Sequence, residues 1–122
     1  LNPARPTVQL VGVPRPALCE PIARALQSLG LRRALVVSGE APSESVAGMA
    51  YLDELSTLGV NQVAEFHQAR AFGVSTLAPR DLGIAPATLA DLAGGDAAAN
   101  AEIVRRILRG VETGPKRDAV LL

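Results

Sequence analysis

Short apolar runs separated by polar segments dominate the first third of the chain. The β-branched run Thr7–Val13 predicts a buried strand, and apolar residues at helical spacing predict a helix over Pro16–Leu29. Pro21 is expected to bend this helix, because proline removes one helical hydrogen bond. Ala34–Val37 forms a second apolar run, so the order strand, helix, strand predicts a parallel βαβ unit.

Alternating apolar and polar residues continue in the middle of the chain. They predict a short strand over Leu52–Ser56 and two further strands over Gln62–Phe66 and Ala71–Leu77. Because only His67–Arg70 separates the last two strands, we expect them to form a β-hairpin.

Helical spacing returns in the last third of the chain. Single helical turns are predicted at Pro79–Gly83 and Thr88–Leu92, followed by a helix over Asp96–Arg109. Asp96 suits the N-cap of that helix, and Gly110 suits the position after its last turn. The whole pattern predicts an α/β fold, in which a parallel-sheet-based part of a larger domain carries a β-hairpin and a closing helix.

Two adjacent carboxylates, Asp53 and Glu54, follow the polar segment Ser38–Ala50. That segment is predicted to be a loop at the carboxyl edge of the sheet, where open α/β sheets bind ligands. Mg²⁺ prefers hard oxygen ligands and commonly takes one or two carboxylates together with phosphate oxygens and waters. The pair therefore indicates either a metal site for a phosphorylated substrate or, as is more frequent for this spacing, two solvated surface acids.

Composition and charge narrow the classes of function. The chain has 122 residues, 48% hydrophobic and 2% aromatic, so we expect one domain with a core of Ala, Val, Leu and Ile. Twelve basic and twelve acidic residues cancel, which argues against nucleic-acid binding through a basic field. No apolar run approaches the ~20 residues of a membrane span and no secretory signal is present. We therefore expect a soluble, cytoplasmic protein without nucleic-acid or membrane partners.

The remaining reactive side chains have structural explanations. Cys19 is the single cysteine, which excludes an internal disulfide, and without a neighbouring His it is not expected to be a nucleophile. His67 is the single imidazole, two residues from Glu65, and receives no role. The Gly94–Asp96 segment is explained by helix capping rather than by anion binding.

Both ends of the sequence indicate a piece of a longer protein. The sequence starts at Leu1 rather than Met, and the apolar pattern of Asp118–Leu122 stops without a cap. We expect the chain to be poorly stable alone, because a sheet without its neighbouring strands exposes apolar faces and open edges.

Several blocks, in order along nearly the whole chain, resemble the anthranilate phosphoribosyltransferase family. They are Leu1–Pro6, Gln9–Val13, Ala34–Glu40, Leu52–Ser56, Gly94–Asp96 with Asn100–Ala101, and Gly114–Leu122. Each block is weak alone, and together they are fairly specific. The resemblance implies that residues 1–122 are the carboxyl-terminal part of one α/β phosphoribosyltransferase domain, without the amino-terminal helical domain and the phosphate-binding loop.

The resemblance also implies an activity in tryptophan biosynthesis. The family transfers a phosphoribosyl group from phosphoribosyl pyrophosphate to the amine of anthranilate and releases pyrophosphate. Mg²⁺ accompanies the pyrophosphate and is held by an Asp-Glu pair, which Asp53 and Glu54 match here. The resemblance thus implies these two residues as metal ligands, no catalytic residue in this stretch and a homodimeric parent enzyme. The 122-residue chain alone is expected to be inactive.

Two departures from the family pattern lie beside the implied metal site. Ser38 stands where the family usually has His, and residues 41–51 are longer than the family's link to its Asp-Glu pair. Two alternatives stay open. One is a fragment of a pyrimidine nucleoside phosphorylase of related fold, and the other is a non-catalytic α/β interaction domain with surface acids.

Overall fold

A computed structural model describes residue 4 and residues 6–42, 49–68 and 70–122, without the side chain of Met49. The strands in this part of the chain are β1 (Val8–Gly12), β2 (Arg33–Pro42), β3 (Met49–Leu52), β4 (Asn61–His67) and β5 (Ala71–Leu77). The helices are α1 (Cys19–Ser28), α2 (Leu89–Leu92), α3 (Ala97–Leu108) and α4 (Pro115–Leu121). Short 3-10 turns lie at Pro16–Leu18 and Pro79–Leu82. None of the helices in the described ranges is long and apolar enough to cross a membrane.

The strands form one mixed sheet in the order β1-β2-β4-β5, with β3 paired to β2. Strands β1 and β2 are parallel, whereas β2 is antiparallel to both β3 and β4, and β4 is antiparallel to β5. The α/β class, the βαβ unit around α1 and the β4–β5 hairpin are therefore confirmed. The predicted parallel pairing extends only to β1 and β2.

One edge of β2 is shared by two strands. Gly39 pairs with Asn61 of β4 on one side and with Leu52 of β3 on the other. Strand β3 therefore lies on the same edge of β2 as β1, whose last residue Gly12 pairs with Val37. Because β1 and β3 run in opposite directions, their carboxyl ends meet near Gly39.

The core lies between α1 and one face of the sheet. Side chains alternate between the two faces along a strand, and those of β2 and β4 that face α1 are buried. The core cluster consists of Val13, Cys19, Ala23, Leu26, Ala34, Val36, Ala64 and Phe66. Most of these side chains are small, as the composition predicts, and Phe66 is the largest of them.

Two local predictions are wrong because tertiary context decides the outcome. Strand β2 continues from Ser38 to Pro42, a stretch predicted to be loop, because β3 and β4 supply pairing partners. Strand β3 ends at Leu52, so the predicted strand over Leu52–Ser56 is displaced. Residues 43–48 of the predicted loop lie outside the described residues.

Polar caps and links organise the carboxyl-terminal helices. Asp96 Oδ1 accepts a hydrogen bond from the Ala99 N–H at 2.8 Å, which confirms the N-cap of α3. The Thr88 hydroxyl donates to Asp91 at 2.7 Å, and this bond lowers the pKa of the Asp91 carboxyl. Lys116 Nζ donates to the Asp91 carbonyl oxygen at 2.9 Å and so links α4 to α2.

Truncation of Phe66 tests the packing between α1 and the sheet. Phe66→Ala is expected to lower the free energy of unfolding by about 3–5 kcal/mol, because the removed ring leaves a cavity in the core. Urea denaturation measures this difference. The matched control is Val74→Ala on β5, where the side chain is 49% exposed and the cost should stay below about 1 kcal/mol. Equal costs would show that this layer is not the core.

Candidate functional site

The acidic pair lies where the carboxyl ends of β1 and β3 meet. Asp53 and Glu54 form a bend directly after β3, which ends at Leu52. The carbonyl group of Asp53 lies against Gly12, the last residue of β1. The pair is therefore at the carboxyl edge of the parallel strands, where ligands bind in open α/β sheets.

Two glycines allow the segment that carries the pair, residues 53–60 or the acidic loop, to pack against the sheet. At Gly12, a Cβ atom would overlap the carbonyl group of Asp53. At Gly39, a Cβ atom would lie 2.6 Å from the Ser56 Cβ and 2.7 Å from the Glu54 carbonyl oxygen. Any side chain at either position would therefore push the acidic loop away from the sheet.

Asn61 ties the acidic loop to two strands. It is fully buried and is the first residue of β4. Its Oδ1 accepts a hydrogen bond from the Ser56 N–H at 2.6 Å, and its Nδ2 donates to the Ser56 carbonyl oxygen at 3.0 Å. Nδ2 also donates to the carbonyl oxygen of Leu77, the last residue of β5, at 3.1 Å. One amide thus satisfies both backbone groups of Ser56 and joins the loop to the hairpin.

Glu40 holds the carboxyl-terminal end of the acidic loop. Its Oε2 accepts a hydrogen bond from the Val60 N–H at 3.0 Å, and its own N–H donates to the Val60 carbonyl oxygen at 3.0 Å. Gly59 packs against it closely, since a Cβ atom there would lie 2.7 Å from the Glu40 Cβ. Within the loop, the Leu58 N–H donates to Ser56 Oγ at 3.0 Å. The backbone of the loop is therefore fixed at several points.

The carboxylates of Asp53 and Glu54 remain free although their backbone is fixed. Both residues are exposed, and neither side chain makes a hydrogen bond or ion pair with any described residue. Free carboxylate oxygens on a fixed backbone suit a hard cation such as Mg²⁺. No group of three or more His, Cys, Asp or Glu side chains that could hold a metal is found among the described residues. A cation at this pair would therefore need further oxygens from a substrate or from water.

The other reactive side chains lie away from the acidic loop or are buried. Burial raises the pKa of the Cys19 thiol, whose Sγ donates to the Gln62 carbonyl oxygen at 3.7 Å, so it is poorly suited to act as a nucleophile. Ser38 is fully buried on β2, and its hydroxyl has no hydrogen-bond partner in the described ranges. His67 lies at the end of β4 that adjoins the hairpin turn, opposite the end that begins with Asn61.

Together, the sheet and its edge define an α/β domain of the class that binds ligands beyond the carboxyl ends of its strands. A family model described as glycosyl transferase family, a/b domain, matches residues 1–122, and the chain belongs to this family.

Named relatives make the similarity more specific. The anthranilate phosphoribosyltransferase of Geobacter sulfurreducens is 43% identical over 121 residues, covering 99% of this chain and 31% of that protein. The enzyme of the same name from Caulobacter vibrioides is 46% identical over 123 residues, covering 99% of this chain and 32% of that protein. The crystal structure of anthranilate phosphoribosyltransferase from Thermus thermophilus matches with a TM-score of 0.66 and 40% identity, covering 91% of this chain and 29% of that chain. The predicted resemblance is confirmed, and the chain spans about a third of the length of the curated relatives it matches.

Sequence reasoning missed the residues that hold the acidic loop. Gly12 and Gly39 lie within strand patterns, and an isolated glycine in a strand signals a bulge or a close backbone approach, so this signal was available. Asn61 carried no such signal, because its role depends on contacts with Ser56 and Leu77, 5 and 16 residues away.

A pair of glycine substitutions tests how closely the acidic loop packs on the sheet. Gly12→Ala is expected to destabilise the protein by about 1–3 kcal/mol or more, because the new Cβ overlaps a backbone carbonyl group that must move. In contrast, Gly73→Ala on β5 places its Cβ in open space and should be neutral or stabilising by up to about 1 kcal/mol. Thermal or urea unfolding compares the two variants. Similar stabilities would contradict the close approach at Gly12.

Proposed function

We propose that the whole protein is an anthranilate phosphoribosyltransferase. It transfers the phosphoribosyl group of phosphoribosyl pyrophosphate to the amine of anthranilate and releases pyrophosphate, a step of tryptophan biosynthesis. Relatives and a solved structure of that name, 40–46% identical across 91–99% of the chain, support the proposal. The observation that carries the proposal is the acidic pair of Asp53 and Glu54, whose carboxylates have no partner among the described residues. The pair lies at the carboxyl edge of the parallel strands, where open α/β sheets generally bind ligands.

We assign Asp53 and Glu54 as the ligands of Mg²⁺. When bound, Mg²⁺ neutralises charge on the departing pyrophosphate. This chain holds the two carboxylates in a fixed place, and neither of them forms an ion pair with a described residue. Because the loop is already ordered through its backbone, little has to be rearranged when the charge develops. The amine of anthranilate is the nucleophile, so the reaction needs no covalent enzyme intermediate.

The remaining substrate contacts are assigned to other parts of the whole protein. The sequence has no phosphate-loop spacing, and the acidic pair supplies only negative charge. Binding of an anionic substrate therefore needs amide and cationic groups from elsewhere. The family resemblance further supports a homodimer and a cytoplasmic location for the whole protein.

Neutralisation of both carboxylates tests the metal assignment. The double variant Asp53→Asn with Glu54→Gln is expected to lose on the order of 10²-fold or more in pyrophosphate release, because neutral amides no longer hold the cation. Steady-state rates of the full-length protein are measured with phosphoribosyl pyrophosphate and anthranilate over a range of Mg²⁺ concentrations.

The matched control neutralises two carboxylates outside the site. Glu20 and Glu102 are exposed on α1 and α3 and form surface ion pairs with Arg24 and Arg105. Glu20→Gln with Glu102→Gln should leave the rate within about twofold, because surface pairs of this kind contribute little. An unchanged rate in the Asp53 and Glu54 double variant would show that the metal lies elsewhere.

A further inference from the structure

We infer that Asn61 is a positioning residue for the acidic pair. The inference rests on the proposed metal role of Asp53 and Glu54, and it extends that role to a buried side chain that touches no ligand. Asn61 acts through Ser56, which lies two residues after Glu54 and gives both its N–H and its carbonyl group to the Asn61 amide.

The short distance along the chain makes this connection direct. Two residues of extended backbone span at most about 7 Å, so fixing Ser56 confines the Glu54 backbone to within that distance of it. On the sheet side, Gly12 and Gly39 are already in contact with the carbonyl groups of Asp53 and Glu54. The sheet therefore prevents inward movement of the loop, and the Asn61 amide prevents outward movement.

Asparagine is specifically suited to this position. Its amide supplies one acceptor for the Ser56 N–H and two donor hydrogens for the carbonyl oxygens of Ser56 and Leu77. A carboxylate of the same shape would keep the acceptor but would face both carbonyl oxygens with a buried negative charge and no donor. The substitution Asn61→Asp therefore releases the loop with almost no change in volume.

Mg²⁺ makes strict demands on the ligands that this loop presents. It requires near-octahedral geometry with oxygens at about 2.0–2.1 Å, so carboxylates on a loosened loop must be ordered again when the ion binds. Loss of the Asn61 contacts should therefore weaken the affinity for Mg²⁺. At saturating Mg²⁺ the loop is ordered by the ion, and the chemical step should recover.

The test compares two neighbouring amides in the full-length protein. Asn61→Asp is expected to raise the Mg²⁺ midpoint about tenfold or more, the effect typical of residues that orient metal ligands. The Mg²⁺ midpoint is the Mg²⁺ concentration for half-maximal rate, and the Kd for Mg²⁺ in the presence of pyrophosphate, measured by calorimetry without turnover, should rise with it. The adjacent control is Gln62→Glu, since the side-chain amide of the half-buried Gln62 donates to the Ser75 carbonyl oxygen at 3.0 Å and makes no hydrogen bond to a described residue of the acidic loop. It should move the Mg²⁺ midpoint less than twofold. Partial unfolding would lower the maximal rate and leave the midpoint unchanged.

The outcomes separate this inference from the proposed function. Should Asn61→Asp fail to fold, Asn61→Ser serves instead. The shorter serine side chain cannot make the hydrogen bonds of the Asn61 amide to Ser56 and Leu77, and it adds no charge. A folded Asn61 variant with an unchanged Mg²⁺ midpoint overturns the positioning role while the Asp53 and Glu54 double variant stays inactive. Full activity in that double variant overturns the metal assignment on which the inference rests, whereas a full-length protein that releases no pyrophosphate with phosphoribosyl pyrophosphate and anthranilate overturns the proposed function.

Discussion

The meeting of two strands on one edge of β2 decides where the candidate site lies. Strand β1 runs parallel to β2 and ends opposite Val37, whereas β3 runs antiparallel and ends opposite Gly39. Neither strand can continue past the other, so the chain after Leu52 must leave the sheet. Asp53 and Glu54 are the first residues beyond this point. Their place at the sheet edge is thus a consequence of backbone pairing, and no attraction between the acids and the rest of the fold is needed.

In the acidic loop, the contacts that fix the backbone are made by residues other than the two carboxylates of Asp53 and Glu54. Adjacent carboxylates repel each other, and no described cation offsets this repulsion at Asp53 and Glu54. The loop is held instead by close packing on Gly12 and Gly39 and by the buried amide of Asn61. This division leaves two charged groups available at a fixed place, which is the arrangement that a preorganised binding site requires.

Local patterns in the sequence predicted much of the fold but little of what supports the site. The cap at Asp96, the β4–β5 hairpin and the βαβ unit follow from signals contained within short windows. The extension of β2 through Ser38 could not be predicted, because small polar residues typical of loops became strand only through pairing with β3 and β4. The acidic pair is visible in the sequence alone, but only the family resemblance favours metal ligands over solvated surface acids at Asp53 and Glu54. The role of Asn61 depends on contacts that exist only in the folded chain.

The pairing of β3 with β2 also bears on how this site responds to a change in the length of the chain before it. The family resemblance leads us to expect a longer link at residues 41–51, and in this chain Pro42 pairs with Met49 and Gly39 with Leu52. The antiparallel pairing thus restores a common register before the chain reaches Asp53. We expect a change in the length of the connection between these strands to leave the geometry downstream unaltered as long as this register is kept. The position of Asp53 on the sheet is therefore set by the pairing of β3 with β2 and not by the number of residues that connect these strands.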